Sequence, residues 1–378
     1  MKISILTANL ASNALGRAYL LGRVLQRNHK VEILGPIFGD RIWPPCDTGE
    51  FEYKHVPGCR FPSFFHSMSR LLDQISGDVV YAIKPRLSSF GVGLIARQRY
   101  GLPLLLDIDD WDYKGQHSLG RLRRLANCVI HMTDPYAQSY LWLMQQLIPQ
   151  ASAVTTVSKL LQRRFGGTII PHGCDTDSLD PGTHNGGELR RTWGLQNAKI
   201  VMFLGTPRSH KGVEDLIIAI ENLDKYNIVL VIIGVDPRDP YTATLQARAS
   251  KQLRLIGMQP ITEIPRFLAA ADIIALPQRD VPFAQAQVPA KIFDAMAMAK
   301  PIIATDVGDL AKTLDGTGIV VPPGNIPALS SAIEQLVTHT DLAHMLGQSA
   351  RRRCVQNYSW DIMEQQLENI IERMLQSL

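Results

Sequence analysis

Two separate series of short apolar runs, each run followed by a segment of helical spacing, constrain this chain more than any other feature. The first series runs Lys2–Ala8, Val31–Pro36, Phe51–Val56, Asp78–Ile83, Leu104–Leu106 and Ala153–Ser158. Between these lie a helical stripe of Ala18, Leu21, Val24 and Leu25, opening at Gly16, and helical segments over Ser63–Ile75, Ser88–Tyr100 and Lys159–Phe165. The second series begins at Lys199 and places strands at Ile200–Leu204, Ile228–Ile233, Leu253–Ile256, Ile273–Leu276, Ile302–Ala304 and Gly318–Val321. Repeated strand–helix units of this kind predict α/β architecture with a doubly wound parallel sheet in each half. Gly166-Gly167 marks the change of domain, so the expected division is 1–165 and 166–355. The tail 356–378 carries Ile362, Met363, Leu367, Ile370, Ile371 and Met374 near helical spacing, long enough to return to the first domain.

A length of 378 residues fits two or three domains, and 46% hydrophobic with 20% charged residues is globular composition. The five cysteines, Cys46, Cys59, Cys128, Cys174 and Cys354, show no CxxC spacing, which argues for a reducing compartment and against structural zinc. A strand directly from Lys2 predicts no signal peptide, and no apolar run of 18 residues predicts a membrane-spanning helix. Charge is uneven: residues 1–165 hold 20 Lys and Arg against 12 Asp and Glu, while the remainder hold 19 against 23. A basic front half suits an anionic lipid surface or a phosphorylated acceptor, or is ordinary solvated surface. Without a recognisable nucleic-acid module or aromatic–basic interleaving, nucleic acid is not an expected partner.

Chemistry concentrates in three stretches. Ile200–Leu204 is followed by Gly205, a polar loop with Arg208 and Lys211, and the helical series Val213, Leu216, Ile217, Ile220. Strand, turn and helix start in that order present free N–H groups to an anion, and the two cations add full charges. The competing reading is a structural turn with solvated cations. In the second stretch Pro289 is placed as an N1 proline, and Lys291 and Asp294, three apart, share one helix face. A carboxylate there suits the adjacent hydroxyls of a ribose and a lysine suits phosphate; the alternative is an ordinary i,i+3 ion pair. The third stretch is Asp107-Ile108-Asp109-Asp110-Trp111-Asp112, four carboxylates just past a strand end. Such charges need partners, which acceptor hydroxyls, a metal or nearby arginines can supply. No histidine stands at ligand spacing, which favours hydroxyls over metal. The first strand–helix unit lacks G-x-G-x-x-G, so a nicotinamide dinucleotide is not expected there. Leu119–Pro149 reads as helical, with Arg121, Arg123 and Arg124 near its start. Its patch Tyr140–Met144 with Leu147-Ile148 suits core packing first and a bilayer surface second.

Taken together these stretches resemble the retaining family 4 of GT-B glycosyltransferases, over nearly the whole chain. Gly205 with Lys211-Gly212 is similar to that family's donor-phosphate loop, and Ile170-Pro171-His172-Gly173-Cys174-Asp175 resembles its I-P-N-G-x-D turn. Pro289-x-Lys291-x-x-Asp294-Ala295-Met296-Ala297, continuing to Lys300-Pro301-Ile302-Ile303-Ala304-Thr305, is similar to its P-x-K-x-x-E-A-M-A-x-G-K-P-V-I-A-T stretch. Tyr358-Ser359-Trp360-Asp361 resembles the F-S-W-E that opens a crossing C-terminal helix. The resemblance implies two facing Rossmann-like domains, the acceptor on the first and the nucleotide sugar on the second. It also implies transfer with retention, a UDP- or GDP-sugar as donor, and no required metal or cofactor.

On this model Arg208, Lys211 and Asp294 form the catalytic set, the two cations neutralising the leaving diphosphate and Asp294 taking the ribose hydroxyls. Gly205, Thr206, Gly234, Gln287, Pro289 and Lys291 bind the donor, and Gly16, Asp107, Asp109, Asp110 and Trp111 form the acceptor side. Implied partners are a lipid-linked or saccharide acceptor and an anionic membrane surface, in cell-surface polysaccharide or glycolipid synthesis. The implied location is cytoplasmic, peripheral on the inner face of the plasma membrane. Two departures stand out: Thr206 occupies the position of the family's loop arginine, and Ala286 that of the first of its paired glutamates. The lost acid's role is open to Asp280, Gln285 or Gln287. A non-catalytic nucleotide-sugar-binding subunit and a GT-B sugar-nucleotide epimerase are the alternative functions.

Overall fold

The computed structural model describes residues 1–111, 131–248 and 250–377. Its contacts divide the chain into Met1–Pro171 with Met363–Leu378, and His172–Ile362. Both units are α/β with wholly parallel sheets, as the strand–helix alternation requires.

In the first unit β1 (Lys2–Leu6), β2 (Lys30–Ile37), β3 (Tyr53–Pro57), β4 (Val79–Ile83), β5 (Leu104–Ile108), β6 (Ala153–Thr156) and β7 (Thr168–Ile169) lie in the order β3-β2-β1-β4-β5-β6-β7. Ile5 stands opposite Ile33 on one side and Tyr81 on the other. The winding reverses between β1 and β4, and open sheets of this kind take ligands beyond the carboxyl ends at such a point. Helix Ala14–Leu25 packs Leu15, Ala18, Leu21, Val24 and Leu25 against the sheet. It starts two residues before the expected Gly16, because turns from Ser12 and Asn13 already bond the N–H groups of Leu15 and Gly16. The helix expected over Ser88–Tyr100 is two pieces, a wide turn at Leu87–Gly91 and an α-helix at Val92–Tyr100. The expected boundary at 166 also moves. Thr168 and Ile169 pair with Thr155 and Thr156, which satisfies their backbone on the sheet edge and keeps the chain in the first unit through Pro171.

Glu32 on β2 shows how this sheet handles a charge turned inward. It accepts from Ser4 Oγ (2.5 Å), Lys54 Nζ (2.8 Å), Ser76 N (2.9 Å) and Ser76 Oγ (2.8 Å), and Lys2 Nζ lies 2.9 Å away. Burial pushes this carboxyl up, but the donors from Lys54, Ser4, Lys2 and Ser76 outweigh burial and hold it at about 2. A depressed carboxyl contributes stability that is complete above its unfolded value near 4.5 and is lost as pH falls toward 2. Thermal melts of wild type and Glu32→Gln between pH 2 and 6 should therefore differ most at the upper end of that range and converge at the acid end. A constant gap over that range would contradict the assignment.

In the second unit β8 (Lys199–Leu204), β9 (Ile228–Val235), β10 (Leu253–Gly257), β11 (Ile273–Leu276), β12 (Ile302–Thr305) and β13 (Ile319–Val321) lie in the order β10-β9-β8-β11-β12-β13. Side chains alternate between faces along each strand, so Ile200, Met202 and Leu204 pack with Ile292, Phe293 and Met296. Val201 and Phe203 pack with Val213, Leu216, Ile217 and Ile220 on the other face. The two points where the chain enters and leaves this unit are tied together: Cys174 N donates to Tyr358 O, and Trp360 N to Cys174 O, both at 3.0 Å. The helix Trp360–Gln376 buries Met363, Leu367, Ile371 and Met374, and from Met363 it belongs to the first unit. There Glu364 meets Arg27 at 2.7 Å and Glu368 meets His29 at 2.8 Å.

The expected helix Leu119–Pro149 falls partly on residues 112–130, with Arg121, Arg123 and Arg124, outside the described residues, as does Asp112. Its described end is the helix Gln138–Gln146, which buries Leu141 and Met144 and leaves Trp142 54% and Leu143 42% exposed. Core packing thus accounts for only half of the apolar patch. Among the described residues no helix is long and apolar enough to cross a membrane.

Candidate functional site

In the second unit the winding reverses between β8 and β11, and the Gly205 loop leaves β8 there. Gly205 N donates to Ile233 O at 2.9 Å, a one-turn helix follows at Ser209–Lys211, and the helix Val213–Glu221 begins after Gly212. Two glycines make this path possible. Gly212 has φ +65°, and a Cβ on it would lie 1.9 Å from the carbonyl oxygen of Pro277. A Cβ on Gly234 would come within 2.8 Å of the Gly205 carbonyl carbon, so only glycine lets β9 lie under the loop.

The two predicted cations behave differently. Lys211 Nζ donates to Thr206 O at 2.7 Å, which folds its ammonium across the loop. Arg208 pairs with Asp239, whose carboxylate also caps the helix Pro240–Gln246 through Tyr241 N at 3.0 Å. A further cation enters from the loop after β11. Arg279 holds Asp215 through Nε (3.1 Å) and Nη2 (2.8 Å), and its N–H donates to His210 O at 2.9 Å. Arg279 is not among the residues expected at the site, although Pro277-Gln278-Arg279-Asp280 directly follows the expected strand Ile273–Leu276. Asp215 and Glu214 sit in the first turn, where the helix dipole favours carboxylates.

Lys291 and Asp294 bond to each other at 3.1 Å on the helix Lys291–Ala297. Pro289 is not at N1 of that helix. Ala290 is the cap, and Pro289 stands before it, its carbonyl accepting from Ile292 N at 3.1 Å. Ala286 is fully buried, so the first-acid position presents nothing to a ligand. Of its suggested replacements, Gln285 donates to Asp280 at 2.6 Å, and Gln287 is half-buried beside them.

In the first unit Asp107, expected to orient an acceptor, is sealed inside. Arg17 Nε and Nη2 grip its two oxygens at 3.0 and 2.9 Å, and neither side chain has any exposure. Thr155 Oγ1 adds a bond at 2.7 Å, and Arg17 also donates to Ile170 O and Pro171 O at 2.8 and 3.0 Å. An arginine thus claims this carboxylate, and its complete burial leaves an acceptor hydroxyl no access to it. Asp109 and Asp110 share Lys84 at 3.2 and 2.6 Å, beyond the end of β4 at the reversal of winding. Lys84 has φ +68°, a left-handed conformation that costs a lysine on the order of 1 kcal/mol or more. It is held there by its N–H to Asp107 O and by Ser89 Oγ to its own carbonyl, both at 2.8 Å. Burial pushes the Asp109 carboxyl up to about 7, against the pull of Lys84. Trp111 lies under the Arg164 guanidinium, 4.4 Å from ring centre to carbon, and Gly16 lies against Trp43.

The second unit therefore offers a glycine loop with a lysine over it, and a carboxylate–lysine pair on the helix Lys291–Ala297. The first offers a strained lysine between two carboxylates. Residues 198–339, which span β8 to the end of the helix Ile326–Thr338, match the family model described as Glycosyl transferases group 1. An alpha-D-kanosaminyltransferase of Streptomyces kanamyceticus is 26% identical over 286 residues, 71% of this chain and 70% of that protein. A GDP-mannose-dependent alpha-(1-6)-phosphatidylinositol monomannoside mannosyltransferase of Mycolicibacterium smegmatis is 28% identical over 229 residues, 56% of this chain and 59% of that protein. Anabaena HepE, solved in complex with UDP-glucose, superposes with a TM-score of 0.77 over 100% of both chains at 19% identity. Residues 198–339 of the second unit thus match the glycosyl transferases group 1, and with two Rossmann-like parallel-sheet units the chain has the GT-B architecture.

Proposed function

We propose that the protein transfers a sugar, with retention of configuration, from a nucleoside-diphosphate sugar to a saccharide or lipid-linked acceptor in surface polysaccharide or glycolipid synthesis. The observation that carries the donor half of this reading is Lys211 folded across the Gly205 loop at the reversal point of the second sheet. A diphosphate seated there replaces the Thr206 carbonyl as the lysine's partner. As the glycosidic bond breaks, Lys211 opposes the charge that develops on the leaving phosphate. Arg208 joins it once Asp239 releases its guanidinium, and Arg279 keeps the carboxylates of the first helical turn from repelling the anion. The Lys291–Asp294 pair divides on binding, the lysine to phosphate and the carboxylate to ribose hydroxyls. Gly205, Thr206, Gln287 and Pro289 line this donor site. On the acceptor side Asp109, Asp110 and Lys84 are the hydrogen-bonding groups, flanked by Trp111 and Gly16.

Support for the substrate classes comes from relatives whose names specify GDP-mannose and phosphatidylinositol mannoside, and from a similar fold solved with UDP-glucose. A lipid-linked acceptor would be met at the cytoplasmic membrane surface. One observation favours a second reading, a non-catalytic nucleotide-sugar-binding subunit: the mute, buried Ala286. Such a subunit would bind donor and release no diphosphate.

Calorimetry with UDP, GDP and ADP tests the donor site. One diphosphate should bind with EDTA present, and Lys211→Ala should weaken it by roughly 10²-fold, the scale of a lost charge-assisted contact. Absence of binding to all three would remove the reading and leave only the fold.

A further inference from the structure

Gln278 stands two residues past β11, beside the Gly205 loop, and is 2% exposed. Both atoms of its carboxamide, Oε1 and Nε2, are buried without a hydrogen-bond partner. Among the described residues of the second unit no other side chain has two polar atoms unmet. A buried amide in that state destabilises the protein unless something pairs with it.

The backbone around Gln278 does not let it escape. The carbonyl of Pro277 sits in the space left by the missing side chain of Gly212. Arg279 N is bonded to His210 O at 2.9 Å, and its guanidinium to Asp215. The Gln278 carbonyl accepts from Thr305 Oγ1, at the end of β12, at 2.6 Å. With both neighbours and its own carbonyl pinned, the carboxamide stays at the carboxyl edge of the sheet, where the winding reverses. The polar side chains that follow it do not compete for this role: Asp280 and Gln285 bond to each other, and Ala286 is an enclosed methyl.

We propose that Gln278 is a further binding residue of the donor site, its carboxamide pairing with adjacent hydroxyls of a donor sugar ring. An amide oxygen accepts while its NH₂ donates, and neighbouring ring hydroxyls can each do both, so one carboxamide can engage two of them at once. The unmet pair in the unliganded protein is a site prepared for that ligand. Hydroxyls of this kind occur on the ribose and on the transferred sugar. This inference rests on the donor reading above.

The test is Gln278→Leu, with Gln278→Met as the substitute should the first not fold. Affinities are measured for UDP, GDP and ADP, and for UDP-glucose, GDP-mannose and ADP-glucose. Without ligand the variant should melt at or above the wild-type temperature, because an unpaired amide has been replaced by an apolar group of similar size. Donor affinity should nevertheless fall by about 10-fold or more, the scale of a pairing lost at a buried polar site. A loss already present with the diphosphate alone assigns Gln278 to the ribose; a loss confined to the nucleotide sugar assigns it to the transferred sugar. Wild-type-like affinity for every donor in the variant, with normal diphosphate binding by the wild type, overturns this inference alone. Failure of the wild type to bind any diphosphate overturns the donor reading and this inference with it.

Discussion

Asp107→Ala should destabilise the first unit by about 3–5 kcal/mol, because it strands a buried guanidinium with no counter-charge. Arg17 and Asp107 have no exposed side-chain surface and meet through two parallel bonds. The Coulomb attraction of such a pair roughly offsets the cost of taking both ions from water, so the intact pair adds little net stability. Removing one partner leaves the desolvation cost of the other unopposed. For a unit of this size the loss corresponds to roughly 10 °C in melting temperature. The pair also reaches beyond its sheet position. Arg17 holds Ile170 O and Pro171 O, the last backbone of the first unit, so the loss should be felt where the chain leaves it. The double variant Arg17→Met/Asp107→Leu removes both charges and should recover most of the stability. Urea unfolding of the wild type and the two variants decides the matter. A single variant within about 1 kcal/mol of wild type would show that Arg17 finds water or another partner, contrary to the enclosed geometry.

Gly212→Ala should cost about 3 kcal/mol or more and remove diphosphate binding. Two effects add. A left-handed backbone costs an alanine about 1–2 kcal/mol. Its Cβ would also lie 1.9 Å from Pro277 O, a distance no packing tolerates, so either the loop or the β11 end must move. Movement of the loop carries Lys211 away from Gly205, and movement of Pro277 disturbs Gln278 and Arg279. Each displaces a group assigned to the donor. Thermal melts should show the stability loss, and calorimetry with the diphosphate that binds wild type should show affinity reduced by roughly 10²-fold, as for loss of the lysine itself. A variant that folds normally and binds as wild type would place the phosphate elsewhere.

Much of the fold was legible without coordinates. Ile273–Leu276 and Lys159–Phe165 coincide with their predicted spans, and the other strands differ by a few residues at their ends. Short apolar runs and helical stripes are local patterns, and two faces of a parallel sheet bury whatever those patterns present. The errors fell where a non-local bond outweighed the local signal. The Gly166-Gly167 break did not end the first unit, because Thr168 and Ile169 find a strand to pair with. Pro289 reads as an N1 proline from its spacing, yet the helix cap forms one residue later, at Ala290.

The site divided along the same line. Gly205, Lys211 and Gly212 could be singled out as candidates because the strand, the turn and the helix start are consecutive in the chain. Partner choice was not. Four acidic residues between 107 and 112 called for partners, arginines among them, but did not show that Asp107 would be taken by Arg17, 90 positions away, and that Asp109 and Asp110 would share Lys84. Nor did the spacing of Arg208 show that Asp239 would claim it. Arg279 and Gln278 carry no motif at all; one matters for the carboxylates it holds and the other for the partner it lacks. Two parallel α/β sheets and a glycine loop carrying two cations follow from the residue pattern alone, since periodicity and loop chemistry act between near neighbours. Which charges pair with one another, and which polar groups stay unpaired, emerged from tertiary contacts. Those pairings depend on strands that meet across the sheet, and on burial that raises the cost of every polar group without a partner.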